Sequence, residues 1–353
     1  TLHRHGEVVV TTLFLKRKKR NNFCVSNNYS FIRHFYIYIT KKNTMHILKF
    51  DWNPVTGIDI AGNFKLHFYS LMWLSAFVVG YMIMKKIYKR ENIKIEFLDS
   101  LFIYTVLATM LGARLGHVLF YQTELIKDDF FSIFLPFSFK NGVEFTGFQG
   151  LASHGATIGI IIGLYLYRKK YNYKSLMWLL DKMVIPVSVG AALIRFGNFI
   201  NSEIIGKTTD FFTGVRFVQD QYNKYEIVRL TGIKNVQKAY NAVTETSQFK
   251  HLLEAVPYRH PSQLYEAICY IIMFPLLWYI YKKTKKGNQP GFLFGLFFVM
   301  LWTVRFVIEY LKVPQVDGRE DWVFNSLNTG QVLSIPFVLI GLYFMFIYKP
   351  KTT

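Results

Sequence analysis

Arg195, Asn198 and Asn201 stand three residues apart in an apolar run, and Glu203 follows two residues later. Three-residue spacing puts the first three on one helical face. A charge near the bilayer centre costs at least ~2.5–3.5 kcal/mol on insertion scales, so such residues mark either a site or a buried polar network. The guanidinium is a planar fork of donors that suits phosphate, which makes an anion site the functional reading. The other reading is a network that only locks helices together.

Further polar groups interrupt the neighbouring apolar runs. His154, in Ser153-His154-Gly155-Ala156, is either an interhelical hydrogen-bonder or a general base active near neutral pH. Arg305 and Glu309 lie four residues apart, with Lys312 one turn on. They either neutralise each other or present Arg305 as a second cation to the same cavity, held by Glu309. His260-Pro261-Ser262-Gln263-Leu264-Tyr265-Glu266 opens a later run. Pro261 suits a first helical position, Gln263 and Glu266 point one way, and the helix start offers free N–H groups to an anion. Tyr69 begins the first run, where an aromatic belt residue is the plain reading. Arg114, in Gly112-Ala113-Arg114-Leu115-Gly116, needs a partner or a wet cavity. Polar groups on separate helices at one depth read as a site for a lipid headgroup. No metal is implied, because spacing of the His-Glu-x-x-His kind is absent.

The elements that must position these groups are membrane spans. The chain has 353 residues, 52% hydrophobic and 18% aromatic, a composition suited to a polytopic membrane protein. Its net charge of +20 sits in short basic clusters between apolar runs, which is the pattern of membrane loops and excludes a nucleic-acid partner. The 2 cysteines, Cys24 and Cys269, give no disulfide framework. About twenty apolar residues cross the hydrocarbon core, and seven candidates are found: residues 67–87, 98–120, 152–167, 176–200, 263–281, 291–311 and 331–348. Basic clusters follow the odd spans, such as Lys85, Lys86, Lys89 and Arg90 after the first and Lys282, Lys283, Lys285 and Lys286 after the fifth. The alternate loops are mixed or acidic. Odd spans are therefore expected to end in the cytoplasm.

The expected fold class is an all-α polytopic membrane protein of about seven transmembrane helices. A small extracytoplasmic head, residues 201–261, is expected between spans four and five. Residues 1–44 carry a dense basic run, Lys16 to Arg20, on what the charge pattern makes the outer side. They are expected to be a non-native or disordered extension, with 45–353 forming the integral membrane domain.

At these motifs the chain resembles the prolipoprotein diacylglyceryl transferases of bacteria. Residues 194–207, Ile-Arg-Phe-Gly-Asn-Phe-Ile-Asn-Ser-Glu-Ile-Ile-Gly-Lys, are similar to the family's Gly-Arg-x-Gly-Asn-Phe-Ile-Asn-x-Glu-x-x-Gly-Arg. His260 to Glu266 resembles its His-Pro-Ser-Gln-Leu-Tyr-Glu. Residues 112–121, His154-Gly155 and Arg305 to Glu309 also resemble family motifs, and the likeness runs from about Met45 to the C-terminus. Departures are His117, Ala156, Ile194, Lys207, Leu301 and Lys312.

The resemblance implies transfer of a diacylglyceryl group from phosphatidylglycerol to the lipobox cysteine of a preprolipoprotein, the first step of lipoprotein maturation. The product is a thioether, with glycerol phosphate released. The implied catalytic residues are His154, Arg195 and Arg305. Tyr69, Arg114, Asn198, Asn201, Glu203, Gly206, Gln263, Tyr265, Glu266 and Glu309 would bind the substrate. No cofactor is implied. The implied location is the bacterial inner membrane, with the active site toward the extracytoplasmic face. From the residues alone, an anion or lipid-headgroup transporter is the main alternative, since intramembrane charge and broken helices suit that too.

Overall fold

The computed structural model describes residues 48–61, 64–135, 137–139, 142–145, 150, 152–313 and 327–349, with the side chains of Ala61, Phe64, Phe145, Ser153 and His154 excepted. The expected extension, residues 1–44, lies outside the described residues. The chain divides at Lys49 and Phe50, and the fold below is that of the second unit.

A three-residue strand β1 (Phe50–Trp52) and a hairpin of β2 (Gly57–Ala61) and β3 (Phe64–His67) lead into α1 (Phe68–Arg90). Then come α2 (Ile95–Tyr121), the single turn α3 (Leu125–Asp128), the two-residue strands β4 (Phe137–Ser138) and β5 (Glu144–Phe145), α4 (Ser153–Tyr171) and α5 (Leu176–Ile200). After β6 (Val215–Phe217) follow four short helices: α6 (Val218–Gln221), α7 (Lys224–Thr231), α8 (Val236–Glu245) and α9 (Lys250–Glu254). Three long helices close the chain: α10 (Ser262–Lys283), α11 (Phe292–Glu309) and α12 (Thr329–Phe346).

Among the described residues six helices, α1, α2, α5, α10, α11 and α12, are long and apolar enough to cross a membrane, so the chain is a mostly helical, multi-pass membrane protein. The third expected span is also helical, as α4, but it is not among the six. Its 19 residues end in Arg168, Lys169 and Lys170, which shortens the apolar stretch. Glycine lets this helix lie close to α2. Side chains at Gly112 or Gly159 would strike the opposing backbone, with a Cβ at Gly112 only 2.9 Å from the Gly159 Cα. Small residues at such a crossing allow the van der Waals contact that drives association of membrane helices.

The centre of the bundle is α5. It packs against α1 on one side and α10 on the other, while α11 pairs with α12. Ile87, Leu179, Ile185, Leu277 and Leu293 fill the space between them, each at most 1% exposed. Asp181, 3% exposed on α5, holds the start of α11. Its carboxylate accepts from the N–H of Gly291 at 2.7 Å and of Phe294 at 2.9 Å. It thereby satisfies donors that a helix start leaves open. Asp181→Ala is expected to destabilise the protein by about 2 kcal/mol, since both donors stay buried. Asp181→Asn should retain much of that stability. Thermal unfolding in detergent is the check, and equal midpoints for Asp181→Ala and wild type would contradict it.

The polar segment between α5 and α10 has its own small core of Val218, Ile227, Ala239, Tyr240, Val243 and Phe249. An Asn223–Glu226 capping box starts α7. The segment is tied to the bundle by parallel pairing of β1 with β6. Trp52 adds a stacked contact with Phe199, ring centroids 4.4 Å apart, and donates its indole N–H to the Phe199 carbonyl at 2.9 Å.

Candidate functional site

The C-terminal end of α5 turns sharply. The helix α5 ends at Ile200, with Asn201 as its C-cap. Ser202 and Ile204 then take φ of +55° and +57°. The left-handed region is costly for a β-branched residue, of order 1–3 kcal/mol. Surrounding hydrogen bonds hold the turn. The Glu203 N–H donates to the Asn198 carbonyl at 3.0 Å. Ser262 Oγ donates to the Ile204 carbonyl at 2.8 Å, and Gln263 Nε2 to the Glu203 carbonyl at 2.5 Å. The turn thus stitches the end of α5 to the start of α10.

The next residues reach the end of α11. Gly206 N–H donates to the His260 carbonyl at 2.9 Å, and Lys207 N–H to that of Leu311 at 2.7 Å. A Cβ on Gly206 would lie 2.5 Å from the His260 oxygen and 2.8 Å from the Leu311 oxygen. Only glycine fits where three chain segments meet this closely. Beside the junction, His260 Nδ1 lies 3.3 Å from the Tyr265 hydroxyl, which in turn meets Thr213 Oγ1 at 2.5 Å. Burial pushes the His260 imidazole below its ordinary value, which favours the neutral ring.

The junction brings charges from α5, α10 and α11 together. Glu266 on α10 is fully buried. One carboxylate oxygen pairs with Arg195 Nε, and the other accepts from Lys312 Nζ at 2.7 Å. Lys312, 6% exposed, also lies 3.5 Å from Glu309. Arg195 Nη1 donates to Asn198 Oδ1 at 3.3 Å, and Asn198 Nδ2 to Glu203 Oε2 at 3.2 Å. Asn201 Nδ2 reaches the other Glu203 oxygen at 3.1 Å. A continuous network therefore joins Arg195, Asn198, Asn201, Glu203, Gln263, Glu266 and Glu309.

Arg305 sits beside this network with its guanidinium 5.3 Å from the Trp302 ring centroid. It is near enough to Glu266 and Tyr270 to act on both electrostatically. The expected Arg305–Glu309 pair is not formed. Among the described residues Arg305 has no carboxylate partner, because Glu309 turns to Lys312 and packs against Gly330. The Tyr69 ring lies on Gly197, between the Arg195 and Asn198 positions of α5. Two buried acceptors, Gln263 Oε1 and Ser202 Oγ, have no hydrogen-bond partner among the described residues. Buried polar atoms are nearly always satisfied, so such atoms at a polar site point toward a ligand.

One expected residue stands apart. Arg114 is buried and donates to the Ser132 carbonyl at 3.0 Å, which gives it the partner it needs in the segment after α3. No contact among the described residues joins it to Arg195 or Glu266. His154 lies in the first turn of α4, but its side chain is outside the described residues. Lys312 and Tyr270 were not assigned to the site from sequence. Tyr270 stands four residues after Glu266, hence on the same helical face, and that spacing was the available signal. Lys312 was visible only as a cation one turn beyond Glu309.

Fold and site together define a multi-pass membrane protein that gathers three cations around one buried carboxylate, Glu266, at one end of its helix bundle. A family model described as prolipoprotein diacylglyceryl transferase matches residues 56–347. The chain belongs to that family. It is 36% identical over 309 residues to the phosphatidylglycerol–prolipoprotein diacylglyceryl transferase of Bacteroides fragilis, covering 86% of this chain and 97% of that protein. It is 34% identical over 294 residues to the protein of that name from Tolumonas auensis, covering 83% and 95%. The Porphyromonas gingivalis protein of the same name is 33% identical over 303 residues, covering 84% and 93%.

Proposed function

We propose that this chain transfers the diacylglyceryl group of phosphatidylglycerol to the lipobox cysteine of a prolipoprotein. The observation that carries the reading is the cluster of Arg195, Arg305 and Lys312 around one buried carboxylate, Glu266. Arg195 keeps its terminal nitrogens beyond the Glu266 contact, and Arg305 has no acidic partner among the described residues. Two guanidinium forks at the end of a bundle suit a phosphodiester. Family membership supports the transferase and disfavours the transporter.

The cysteine sulfur attacks the diacylglyceryl carbon that bears the phosphate. A C–S bond forms, the C–O bond breaks, and both electrons leave with the phosphate as glycerol phosphate. A free thiol has a pKa of about 8.5, and the thiolate is the nucleophile. His154 is the proposed proton acceptor. Charge growing on the leaving phosphate is met by Arg195 and Arg305, whose place is fixed before reaction. The buried Gln263 Oε1 would accept from a hydroxyl of the headgroup glycerol, and Glu203 with Asn198 and Asn201 would wall the pocket. Tyr69 and Tyr265 line its rim, and Gly206 admits the close turn. Arg114 acts from its own segment, by ordering the chain around Ser132. The site is proposed to face the extracytoplasmic side of a bacterial inner membrane, with residues 201–261 as a small head there. The loop charges support that orientation.

Vesicles holding the protein and phosphatidylglycerol are expected to release glycerol phosphate in proportion to added lipobox peptide. A peptide with serine in place of the cysteine should release none. Release without any peptide, or headgroup transport alone, would contradict the transferase reading.

A further inference from the structure

The far end of the same helices carries a second cationic site. Tyr69 is at the start of the 23-residue helix α1, and Arg90 is its last residue. At 1.5 Å per residue this separates the two ends by about 30 Å, the thickness of the hydrocarbon core. Glu266 stands near the start of α10 and Lys283 is its last residue, about 25 Å further along. At this far end α1 and α10 frame a cavity of about 510 Å³, lined by Lys86, Arg90, Trp278, Lys282 and Lys283.

Four of the five lining residues are cations, and none is acidic. Glu91, which follows Arg90 in the chain, is engaged elsewhere. It lies 3.8 Å from both Lys174 and Lys182, and accepts from Trp178 at 2.8 Å and Tyr281 at 3.1 Å. The cavity is also built. Arg90 donates to the Lys282 carbonyl at 3.0 Å, which fixes the two helix ends to each other, and stacks over Tyr281. Lys282 lies 4.7 Å from the Trp278 ring centroid. An aromatic floor beneath a ring of uncompensated cations, at the depth where a bilayer gives way to water, matches one class of ligand. That class is the phosphate of an anionic phospholipid, its chains lying along α1 and α10.

We infer that this cavity binds the phosphate headgroup of an anionic phospholipid from the leaflet opposite the candidate transferase site. Exposed Leu74, Val78 and Met82 on α1 and Ile272, Leu276 and Tyr279 on α10 give the acyl chains an apolar surface. The site does not depend on the transferase reading, since none of its residues belongs to the Arg195 cluster.

The test is native mass spectrometry of the full chain released from nanodiscs of phosphatidylethanolamine doped with phosphatidic acid. Lys86→Gln/Lys283→Gln removes two cations and leaves the Arg90 tie intact. Wild type is expected to retain about tenfold more phosphatidic acid than this variant, with retention falling as salt rises. Equal retention by the two would overturn the inference. A parallel arm adds inorganic phosphate at millimolar concentration. Phosphatidic acid that stays bound identifies the lipid as the ligand, whereas full displacement would make this a soluble-phosphate site and overturn the lipid assignment. Should the paired variant unfold, salt-insensitive retention by the wild type alone would count against the site.

Discussion

Arg195→Lys is expected to lower the rate of diacylglyceryl transfer at least a hundredfold while the protein still inserts and folds. The substitution keeps the charge and removes the fork. Arg195 holds Glu266 through Nε and Asn198 through Nη1, so one planar group faces both its carboxylate brace and the pocket. A lysine ammonium is a point charge on a flexible stem and cannot meet Glu266, Asn198 and a phosphate oxygen in one plane. Loss of a single preorganised donor at developing charge commonly costs ~10²–10³ in kcat. The decisive readout is kcat for a lipobox peptide at saturating phosphatidylglycerol. A variant within threefold of wild type would remove Arg195 from the reaction.

Glu266→Ala should have the largest effect on stability. Its carboxylate is fully buried and touches both Arg195 and Lys312. Removing one partner of a buried ion pair leaves uncompensated charge and costs about 3–5 kcal/mol. Here two cations lose their partner at once, although Lys312 keeps Glu309 at 3.5 Å. A fall in the midpoint of thermal unfolding of about 10 °C is expected. Adding Lys312→Met to Glu266→Ala removes one orphaned charge and should restore part of the loss. Non-additivity of that kind is the signature of a shared network. Simple addition of the two single-variant effects would show that Glu266 and Lys312 act separately.

The helical layout was legible because apolar runs and basic clusters are one-dimensional signals. Six of the expected spans are helices long and apolar enough to cross a membrane. The third expected span is helical as well, but Arg168, Lys169 and Lys170 fall inside its helix and shorten the apolar stretch. The polar residues of the site stood out because each is costly inside a membrane span. Their pairing could not be read. Arg305 and Glu309 share a helical face, yet Lys312 takes Glu309, because the chain folds back after Glu309 and buries Lys312 between two carboxylates. The turn after α5 was hidden for another reason. Ser202 and Ile204 are not residues that advertise a left-handed turn, and their conformation is imposed by hydrogen bonds from Ser262 and Gln263, some 60 positions away. Arg114 has its partner at Ser132, beyond a loop whose course no local pattern reveals.

The strained turn and the buried carboxylate serve one end. Both hold α5, α10 and α11 so that Arg195 and Arg305 both lie beside Glu266. Preorganised charge of this kind acts without rearranging during reaction, which is why it is effective at a leaving phosphate. The central claim is therefore chemical: the cysteine sulfur of the peptide acquires a diacylglyceryl group at this site. The most direct measurement is the intact mass of a lipobox peptide after incubation with the purified chain and phosphatidylglycerol of defined acyl composition. A mass gain equal to that diacylglyceryl group, located on the cysteine and absent with Arg195→Lys at matched times, is the predicted result. An unmodified cysteine with folded wild-type protein, or the same gain in the variant at the same rate, would contradict it.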